Sequence, residues 1–365
     1  MNKLSSIAYY VTDKISSNDI SLSEYVTTDC ILQNKKGREV ASNLPPQPCC
    51  LTRYQRGDIL IANIRPYLKK VWFADIDGGA SSDVLVFRAK EGHSPSFLYA
   101  VLLQDSFFDY VMQGAKGSKM PRGDKEQILR YEMPILSCSE ESIGTFFLNL
   151  DQKIRLNEQI NQNLEAMAKQ LYDYWFVQFD FPNEEGKPYK SSGGEMLWNE
   201  KLKRKIPVGW HCGNLFEIAV FTNGLACQKF RPKDNEVPLP VIKIREMHDG
   251  ISVDTEKVTS NIPESVKVYN GDVLFSWSAS LEVMLWAYGL GGLNQHIFKV
   301  TSANDFPKSF YYFQLLDYVD VFKKMAEARK TTMGHITQDH LQQSTIAIPD
   351  NKDIADRFEE LISPI

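Results

Sequence analysis

The sequence predicts an α+β protein in which two tandem mixed α/β domains are joined by a long coiled-coil helix. Three observations indicate this architecture: a 39-residue stretch with helical spacing and no proline, landmarks that recur at a nearly constant distance, and the same order of strands, loops and helices in both halves. We therefore expect domains at 1–140 and 210–350, a helix at 141–180, a linker at 181–209, and the start of a second helix at 351–365.

The long helix is predicted between Glu141 and Phe179, where the only glycine lies near the beginning. Steps of alternately four and three residues from Ile143 to Trp175 give ten positions, of which eight are apolar. This spacing is typical of a coiled-coil seam. Asn157 and Asn161 interrupt the seam, and a buried Asn usually fixes register, so we expect one defined partner. An ordinary core helix is the alternative, although average helices have only about 11–12 residues.

The second half of the chain repeats the first. Matching landmarks lie 213–215 positions apart: Gly57-Asp58 and Gly271-Asp272, Phe97 and Phe310, Met120 and Met333, Pro134 and Pro349. The seam also restarts 211 positions later, at Ile354, Phe358 and Leu361. Because the sequence ends at Ile365, we expect the second helix to be incomplete and the first seam to be covered by another chain. A tandem duplication explains these distances, whereas a solenoid would have a far shorter period.

Composition limits the class of protein. With 365 residues the chain can form two or three domains, and its net charge of −5 means that nucleic-acid binding would need local basic patches. The six cysteines form no CxxC pair, so we expect free thiols rather than a zinc site. The N-terminus lacks a signal peptide and no long apolar run occurs, which predicts a soluble cytoplasmic protein.

No catalytic constellation is visible. The sequence contains no phosphate-binding P-loop, no dinucleotide-binding glycine fingerprint and no nucleophile elbow. The histidines are scattered and no carboxylate cluster supports a stand-alone nuclease. We therefore expect a protein without catalysis or a cofactor of its own.

Polar and basic loops recur at matching places in the two repeats. Arg and Lys neutralise phosphates, and Arg, Asn, Gln and His read base edges, so these loops predict DNA binding. The candidates in the first repeat are Asn63, Arg65, Tyr67, Lys69, Ser82, Lys116, Ser118, Lys119 and Arg122. Those in the second are Lys229, Arg231, Ser276, Trp277, Ser278, Asn294, Gln295, His296, Lys330, Thr331, Thr332 and His335. The candidate partner-binding residues are Ile143, Phe147, Leu150, Ile154, Leu164, Leu171 and Trp175.

These features resemble the specificity subunit of type I restriction–modification systems. Three phrases carry the resemblance: RYQRGDILIANIRPYLKKVWFADIDGGASSDVLVF from Arg53, LNLDQKIRLNEQINQNLEAMAKQLYDYWFVQF from Leu148, and KLKRKIPVGWHCGNLFEI from Lys201. The resemblance implies that each repeat is a target recognition domain for one half of a bipartite sequence in double-stranded DNA. It implies that the helix sets the spacing and docks modification (methyltransferase) subunits.

The resemblance also implies partners that bring the chemistry. S-adenosylmethionine would be bound by the modification subunits, and ATP and Mg would act with a restriction subunit. A second copy or another specificity chain could cover the seam. The alternative function is a protein–protein scaffold with two repeats on a coiled-coil spacer, which the negative charge favours. Binding to DNA that weakens steeply with salt would discriminate between the two hypotheses.

Overall fold

A computed structural model describes residues 3–133, 137–278, 280–328 and 336–364. The chain divides into two compact units, residues 1–161 and 162–365, which we call the first and second unit. None of the helices in the described ranges combines the length and apolarity needed to cross a membrane. The predicted α+β class, with a long helix between two mixed domains, is confirmed.

The first unit contains two four-stranded sheets, with helices packed on one of them. Its strands are β1 (Ala8–Tyr10), β2 (Lys14–Ser16), β3 (Tyr25–Val26), β4 (Cys50–Tyr54), β5 (Ile59–Ala62), β6 (Val71–Phe73), β7 (Gly78–Ala80) and β8 (Val84–Ala89). Its helices are α1 (Leu4–Ile7), α2 (Pro95–Leu102), α3 (Asp105–Gln113), α4 (Lys125–Ile128) and the first part of α5 (Glu140–Tyr172). The sheet orders are β1-β8-β5-β6, which is antiparallel throughout, and β2-β4-β7-β3.

Strand β5 explains how the layers are held together. All four of its residues are buried. Ile59 and Ile61 pack in the core shared with α2 and α3, whereas Leu60 packs in the core shared with the second sheet. Since successive side chains of a strand point to opposite faces, this alternation places β5 between a helical layer and a second sheet.

The second unit repeats this arrangement. Its strands are β9 (Met196–Asn199), β10 (Arg204–Pro207), β11 (Trp210–Gly213), β12 (Ala219–Asn223), β13 (Leu239–Ile242), β14 (Lys257–Val258), β15 (Lys267–Val268), β16 (Val273–Ser276), β17 (Glu282–Leu285), β18 (Gly291–Leu293), β19 (Ile297–Ser302) and β20 (Ile346–Pro349). Its helices are α6 (Leu215–Ile218), α7 (Ile244–Asp249), α8 (Lys308–Ala328), α9 (Gln338–Gln342) and α10 (Asp353–Ile362).

The duplication predicted from the sequence is confirmed by the strand order. The sheet β12-β19-β16-β17 corresponds strand for strand to β1-β8-β5-β6, with the same antiparallel pairing. Val273 and Phe275 of β16 face the helix-side core and Leu274 faces the other core, as in β5. The second sheets differ in their edge strands. In the first unit β2 pairs with β4, whereas in the second unit β14 pairs with β13.

The turn before the central strand is conserved between the units. Asp58 accepts a hydrogen bond from the Gln55 N–H at 2.8 Å, and Asp272 accepts one from the Tyr269 N–H at 2.8 Å. Gly57 precedes Asp58 with a φ of +92°, a conformation that glycine adopts without strain. Each carboxylate also pairs with a cation from the neighbouring strand.

Glycine is common in turns, but Gly78 and Gly79 form most of strand β7. A side chain on Gly78 would place its Cβ 2.2 Å from the Glu24 carbonyl oxygen. The corresponding strand β18 begins with Gly291, where a Cβ would lie 2.7 Å from an atom of Ile242. The paired glycines therefore allow close packing of a central strand in both units.

Helix α5 packs against the first unit near its N-terminus. At Gly144 a Cβ would lie 2.3 Å from the Phe97 backbone nitrogen, so only glycine permits this crossing with α2. Ala355, which lies 211 positions later on α10, is completely buried in the second unit. The helix continues through a π-helical turn at Asp173–Val177, close to its predicted end at residue 180.

Residues 181–209, predicted as a linker, are folded into the second unit. They contain the hairpin β9–β10. The Asp180 carboxylate accepts hydrogen bonds from the Ser191 N–H at 2.7 Å and its hydroxyl at 2.6 Å. The ring of Phe181 stacks on Trp210 with centroids 5.7 Å apart. The polar composition predicted a linker, but aromatic packing and hydrogen bonds order the segment.

We predict that protonation of His211 stabilises the second unit at mildly acidic pH. His211 lies on β11, which pairs with β20, and its ring nitrogens contact Asp350 at 2.5 Å and Glu217 at 3.2 Å. Partial burial opposes protonation, but these hydrogen bonds outweigh it and raise the pKa of His211. The stabilisation is therefore complete below about pH 6.5 and is lost as pH rises through the folded-state pKa.

The measurement is the free energy of urea unfolding between pH 5.5 and 8.5 for the wild type and for His211→Gln. The ring is half exposed, so we expect a contribution below about 1 kcal/mol. The wild type should lose more stability than the variant over this interval. Parallel pH profiles would contradict the prediction.

Candidate nucleic-acid interface

Three loops of the first unit converge on one surface, which we call the first loop cluster: residues 63–69, 81–83 and 114–124. The Asn63 N–H donates to the Asp83 carbonyl oxygen at 2.8 Å, and the Arg65 N–H donates to that of Pro121 at 2.8 Å. Arg122 forms isolated bridges with Ile64 and with Lys116. Candidates separated by up to 59 positions in the sequence are thus neighbours in space.

Arg65 is held in a conformation that few arginines adopt. Its φ of 53° and ψ of 63° are left-handed, and Lys69 on the other side of the helical turn Pro66–Leu68 has a φ of 50°. Such backbone costs of order 1 kcal/mol per residue and often marks functional sites. The backbone bond to Pro121 fixes this conformation, and the Arg65 side chain is exposed.

Carboxylates neutralise several cations of the first loop cluster. Lys69 pairs with Asp105 at 2.9 Å, Arg122 with Asp83 at 3.1 Å, and Lys116 with Asp124 at 2.9 Å. The hydrogen bond from Lys116 lowers the pKa of Asp124, and Asp124 in turn raises the pKa of Lys116. Within the described residues, Arg65 and Lys119 make no ion pair, so these two are the most available for phosphates.

Other candidates of the first loop cluster have different surroundings. Tyr67, Ser82 and Ser118 are exposed, as their prediction requires. Asn63 is half-buried, and its Oδ1 is enclosed without a hydrogen-bond partner among the described residues. This oxygen therefore faces the protein rather than solvent, which argues against a DNA contact through Oδ1. The exposed Met120 was not a candidate, although its recurrence as Met333 was a signal for it.

In the second unit the equivalent loops form what we call the second loop cluster, around Trp277. The indole N–H of Trp277 donates to the Asn223 side-chain oxygen at 3.3 Å, and its ring lies 5.7 Å from that of His296. The side chains of Gln295 and His296 contact each other at 3.2 Å. The Gln295 N–H donates to the Leu225 carbonyl oxygen at 2.8 Å. Asn223, which was not a candidate residue, therefore belongs to this cluster.

Three predicted DNA contacts of the second unit are buried: Ser276, Ser278 and Asn294. The Ser276 hydroxyl donates to the Ser278 carbonyl oxygen at 3.3 Å. The Asn294 side chain accepts from the His296 N–H at 3.3 Å. Their burial leaves no surface for DNA, so the prediction is corrected to a structural role in shaping the loops. Their polarity was correct evidence for hydrogen bonding, but it did not identify the partner.

The remaining cations of the second unit also divide into paired and unpaired groups. Arg231 and Lys243 both contact Glu256, at 3.1 Å and 2.5 Å, and hydrogen bonding from Lys243 lowers the pKa of that carboxyl. Lys229 is exposed and makes no ion pair within the described ranges. The candidates Lys330, Thr331, Thr332 and His335 lie outside the described residues.

The predicted seam of α5 is only partly available to a partner. Phe147, Leu150 and Ile154 are exposed on one face, as predicted. Ile143 packs against the core of the first unit, whereas Leu171 and Trp175 pack in the core of the second, so these three are corrected to core residues. Leu164 is half-buried. The spacing could not show this, because a seam repeat of 3.5 drifts around a helix of 3.6 residues per turn.

Within the residues that the structure describes, no group of three or more His, Cys, Asp or Glu side chains could hold a metal ion. The two loop clusters contain cations, amides, hydroxyls and aromatic rings instead. This chemistry suits phosphates, base edges and base stacking.

The comparisons with known proteins agree on one family. Residues 207–365 match the family model described as a type I restriction modification DNA specificity domain. The type I restriction enzyme MjaIX specificity subunit of Methanocaldococcus jannaschii is 21% identical over 364 residues, 96% of this chain and 79% of that protein. The type I restriction enzyme HindI specificity subunit of Haemophilus influenzae is 30% identical over 167 residues, 43% of this chain and 36% of that protein.

A solved structure shares the fold. The S subunit of a type I restriction-modification system from M. genitalium has a TM-score of 0.57 and 12% identity, and the match covers 100% of this chain and 88% of that one. Residues 207–365 therefore resemble the type I restriction modification DNA specificity domains, and the chain resembles a type I specificity subunit over almost its whole length.

Proposed function

We propose that this chain is the sequence-specific DNA-recognition subunit of a type I restriction–modification complex and has no catalysis of its own. The observation that carries the proposal is the recurrence of polar loop clusters at equivalent positions of two duplicated units. Each cluster presents groups of the kind that bind DNA: the exposed Arg65, Tyr67 and Lys119 in the first unit, and the exposed His296 beside the half-buried Gln295 in the second.

Two clusters on two units suit a bipartite target in double-stranded DNA, with one half-site for each unit. Helix α5 runs from the first unit into the second and would set the distance between the half-sites. The exposed Phe147, Leu150 and Ile154 would dock modification subunits or another specificity chain, including a second copy. In this proposal S-adenosylmethionine belongs to the modification subunits, ATP and Mg act with the restriction subunit, and the complex is cytoplasmic.

The test begins with methylome sequencing of a host that carries this chain and its modification subunit. Methylation at a two-part sequence with a fixed spacer supports the proposal. A duplex with that sequence should be retained by the chain at low salt and released as salt rises. A chain that retains no DNA at any salt concentration, and instead binds a protein partner, would make the scaffold hypothesis correct.

We predict that Arg65→Ala and His296→Ala each weaken recognition of a different half-site. The expected cost is roughly 1–3 kcal/mol if the side chain reads a base, with relaxed specificity at that position only. Binding is measured with duplexes mutated in one half-site at a time. Arg130→Ala is a suitable control, because Arg130 is exposed, lies outside the first loop cluster and already pairs with Glu126. A single substitution that relaxes both half-sites would refute the two-module assignment.

A further inference from the structure

Beside the first loop cluster lies a second basic element that none of the candidate residues includes. We call it the basic turn: residues 33–38, Gln33, Asn34, Lys35, Lys36, Gly37 and Arg38. It forms the tip of a small hairpin in which Ile31 bridges Arg38 and the Leu32 N–H donates to the Gly37 carbonyl oxygen at 2.8 Å. The turn carries three cations and no apolar side chain.

The basic turn is continuous with the first loop cluster. The Lys35 N–H donates to the Lys69 carbonyl oxygen at 3.0 Å. The ammonium groups of Lys35 and Lys69 share a single oxygen of Asp105, at 2.6 Å and 2.9 Å. Cations therefore extend in an unbroken series from Lys36 through Lys35 and Lys69 to the loop of Arg65.

The charges of the basic turn exceed those of its counter-ion. Asp105 is the one carboxylate that pairs with Lys35 and Lys69 in the described structure, and it is largely exposed. The hydrogen bonds from Lys35 and Lys69 lower the pKa of Asp105. Lys36 is exposed and makes no ion pair with a described residue. Because the two ammonium groups share one carboxylate, at least one of them can bind a further anion from the solvent side.

The turn is held in a strained and rigidly supported form. Asn34, Lys35 and Gly37 all have positive φ angles, of 56°, 64° and 85°. Lysine rarely adopts this conformation, and such strain persists only where the surroundings enforce it. Below the turn, the guanidinium of Arg155 on α5 lies so close that a Cβ on Gly37 would be 2.7 Å from its Nη1.

Arg155 is itself fixed. Its Nη2 contacts the Asp151 carboxylate at 2.8 Å and donates to the Tyr99 hydroxyl at 3.2 Å. Arg38 is also occupied, because its guanidinium lies 4.4 Å from the centroid of the Trp72 ring. Because Arg155 and Arg38 are both engaged in contacts within the protein, Lys35 and Lys36 are the cations of the basic turn that can contact a ligand.

We propose that the basic turn binds DNA backbone phosphates through Lys35 and Lys36, adjacent to the base-reading surface of the first unit. This inference rests on the proposed DNA-recognition function. Lysine acts as a point charge on phosphate, which suits a contact that does not read sequence. A protein partner is less suited, because protein interfaces usually centre on aromatic or aliphatic anchors and the turn has none.

The experiment measures how the affinity of the full chain for DNA depends on salt, with two duplexes of equal length. One duplex carries the target found by methylome sequencing and the other lacks it. The Lys35→Gln/Lys36→Gln variant should reduce the slope of log K against log salt by about one for each lysine, on both duplexes. The ratio of the two affinities should stay within about twofold of the wild-type ratio.

A second variant should strengthen DNA binding instead of weakening it. Asp105→Asn removes the competing carboxylate and should tighten binding to both duplexes roughly two- to fivefold at low salt. Lys14→Gln is the matched control, because Lys14 is an exposed lysine of the same unit whose ammonium contacts only the Thr52 hydroxyl at 3.3 Å among the described residues. Thermal melting of each variant checks that the chain remains folded.

The outcomes separate this inference from the proposed function. A wild-type chain that binds neither duplex refutes the proposed function. If the wild-type chain binds its target and the Lys35→Gln/Lys36→Gln variant keeps the full salt slope, the proposal that the basic turn binds phosphates is refuted. A variant that loses discrimination between the duplexes at an unchanged slope also refutes it, because the lysines would then read bases.

Discussion

Phe358→Ala should lower the free energy of unfolding of the second unit by about 3–5 kcal/mol. Phe358 on α10 is completely buried, and four aromatic rings surround it. The centroids of Tyr172, Trp175, Phe176 and Phe313 lie 5.9, 5.7, 5.1 and 6.1 Å from its own. Rings from the end of α5 and from α8 would border the resulting cavity, and their mutual contacts restrict collapse into it.

The duplication supplies a matched control for this substitution. Phe147 occupies the equivalent position 211 residues earlier, but its exposed fraction is 41%. Phe147→Ala should therefore change stability by less than about 1 kcal/mol. Urea unfolding measures both variants, and hydrogen exchange followed by mass spectrometry assigns the loss to one unit. Equal losses in the two variants would contradict the difference in burial.

The comparison of these two residues shows what periodicity can and cannot predict. The spacing of apolar residues predicted the helix at Glu140–Tyr172 and the return of its pattern at Ile354 and Phe358. Periodicity is encoded locally, so a single sequence reveals it. The partner of each apolar face depends on packing between distant segments. Phe147 and Phe358 therefore look alike in sequence and differ in burial.

The sheets were predictable in outline for a related reason. The apolar runs of β5 and β16 predict strands, and the constant distance between them predicts that the units share a topology. The paired glycines of β7 could not be recognised as part of a strand, because glycine is common in turns. Only the contact of Gly78 with the Glu24 carbonyl oxygen explains why glycine is needed inside a strand.

The candidate interface was predicted as a set of loops but not as a distribution of charge. The order of elements places loops 63–69 and 114–124 at equivalent ends of the unit, and the structure brings them together. The sequence does not reveal that Lys69 pairs with Asp105, which lies 36 positions away. It also does not show that Ser276 and Asn294 are buried, because their polarity suits a surface loop as well as an internal hydrogen bond.

The second large effect on stability is expected at the ion pair between Arg88 and the buried Asp58, in the turn before β5. We expect Arg88→Met to destabilise the first unit by about 3–5 kcal/mol, because it leaves the Asp58 carboxylate buried without its cation. Asp58 is 1% exposed. Arg88 donates to its two oxygens from Nε and Nη2, both at 2.8 Å. Bonding to Asp58 raises the pKa of Arg88, so the guanidinium stays charged.

The second unit shows which substitution should be tolerated. There Lys299 pairs with Asp272 at 2.8 Å from the same neighbouring strand, so lysine can perform this role in the shared fold. We expect Arg88→Lys to keep one charged hydrogen bond and to cost no more than about 2 kcal/mol. Urea unfolding at neutral pH compares the two variants. If Arg88→Lys is as damaging as Arg88→Met, the bidentate geometry rather than the charge stabilises the turn, and the two units have diverged in how they hold it.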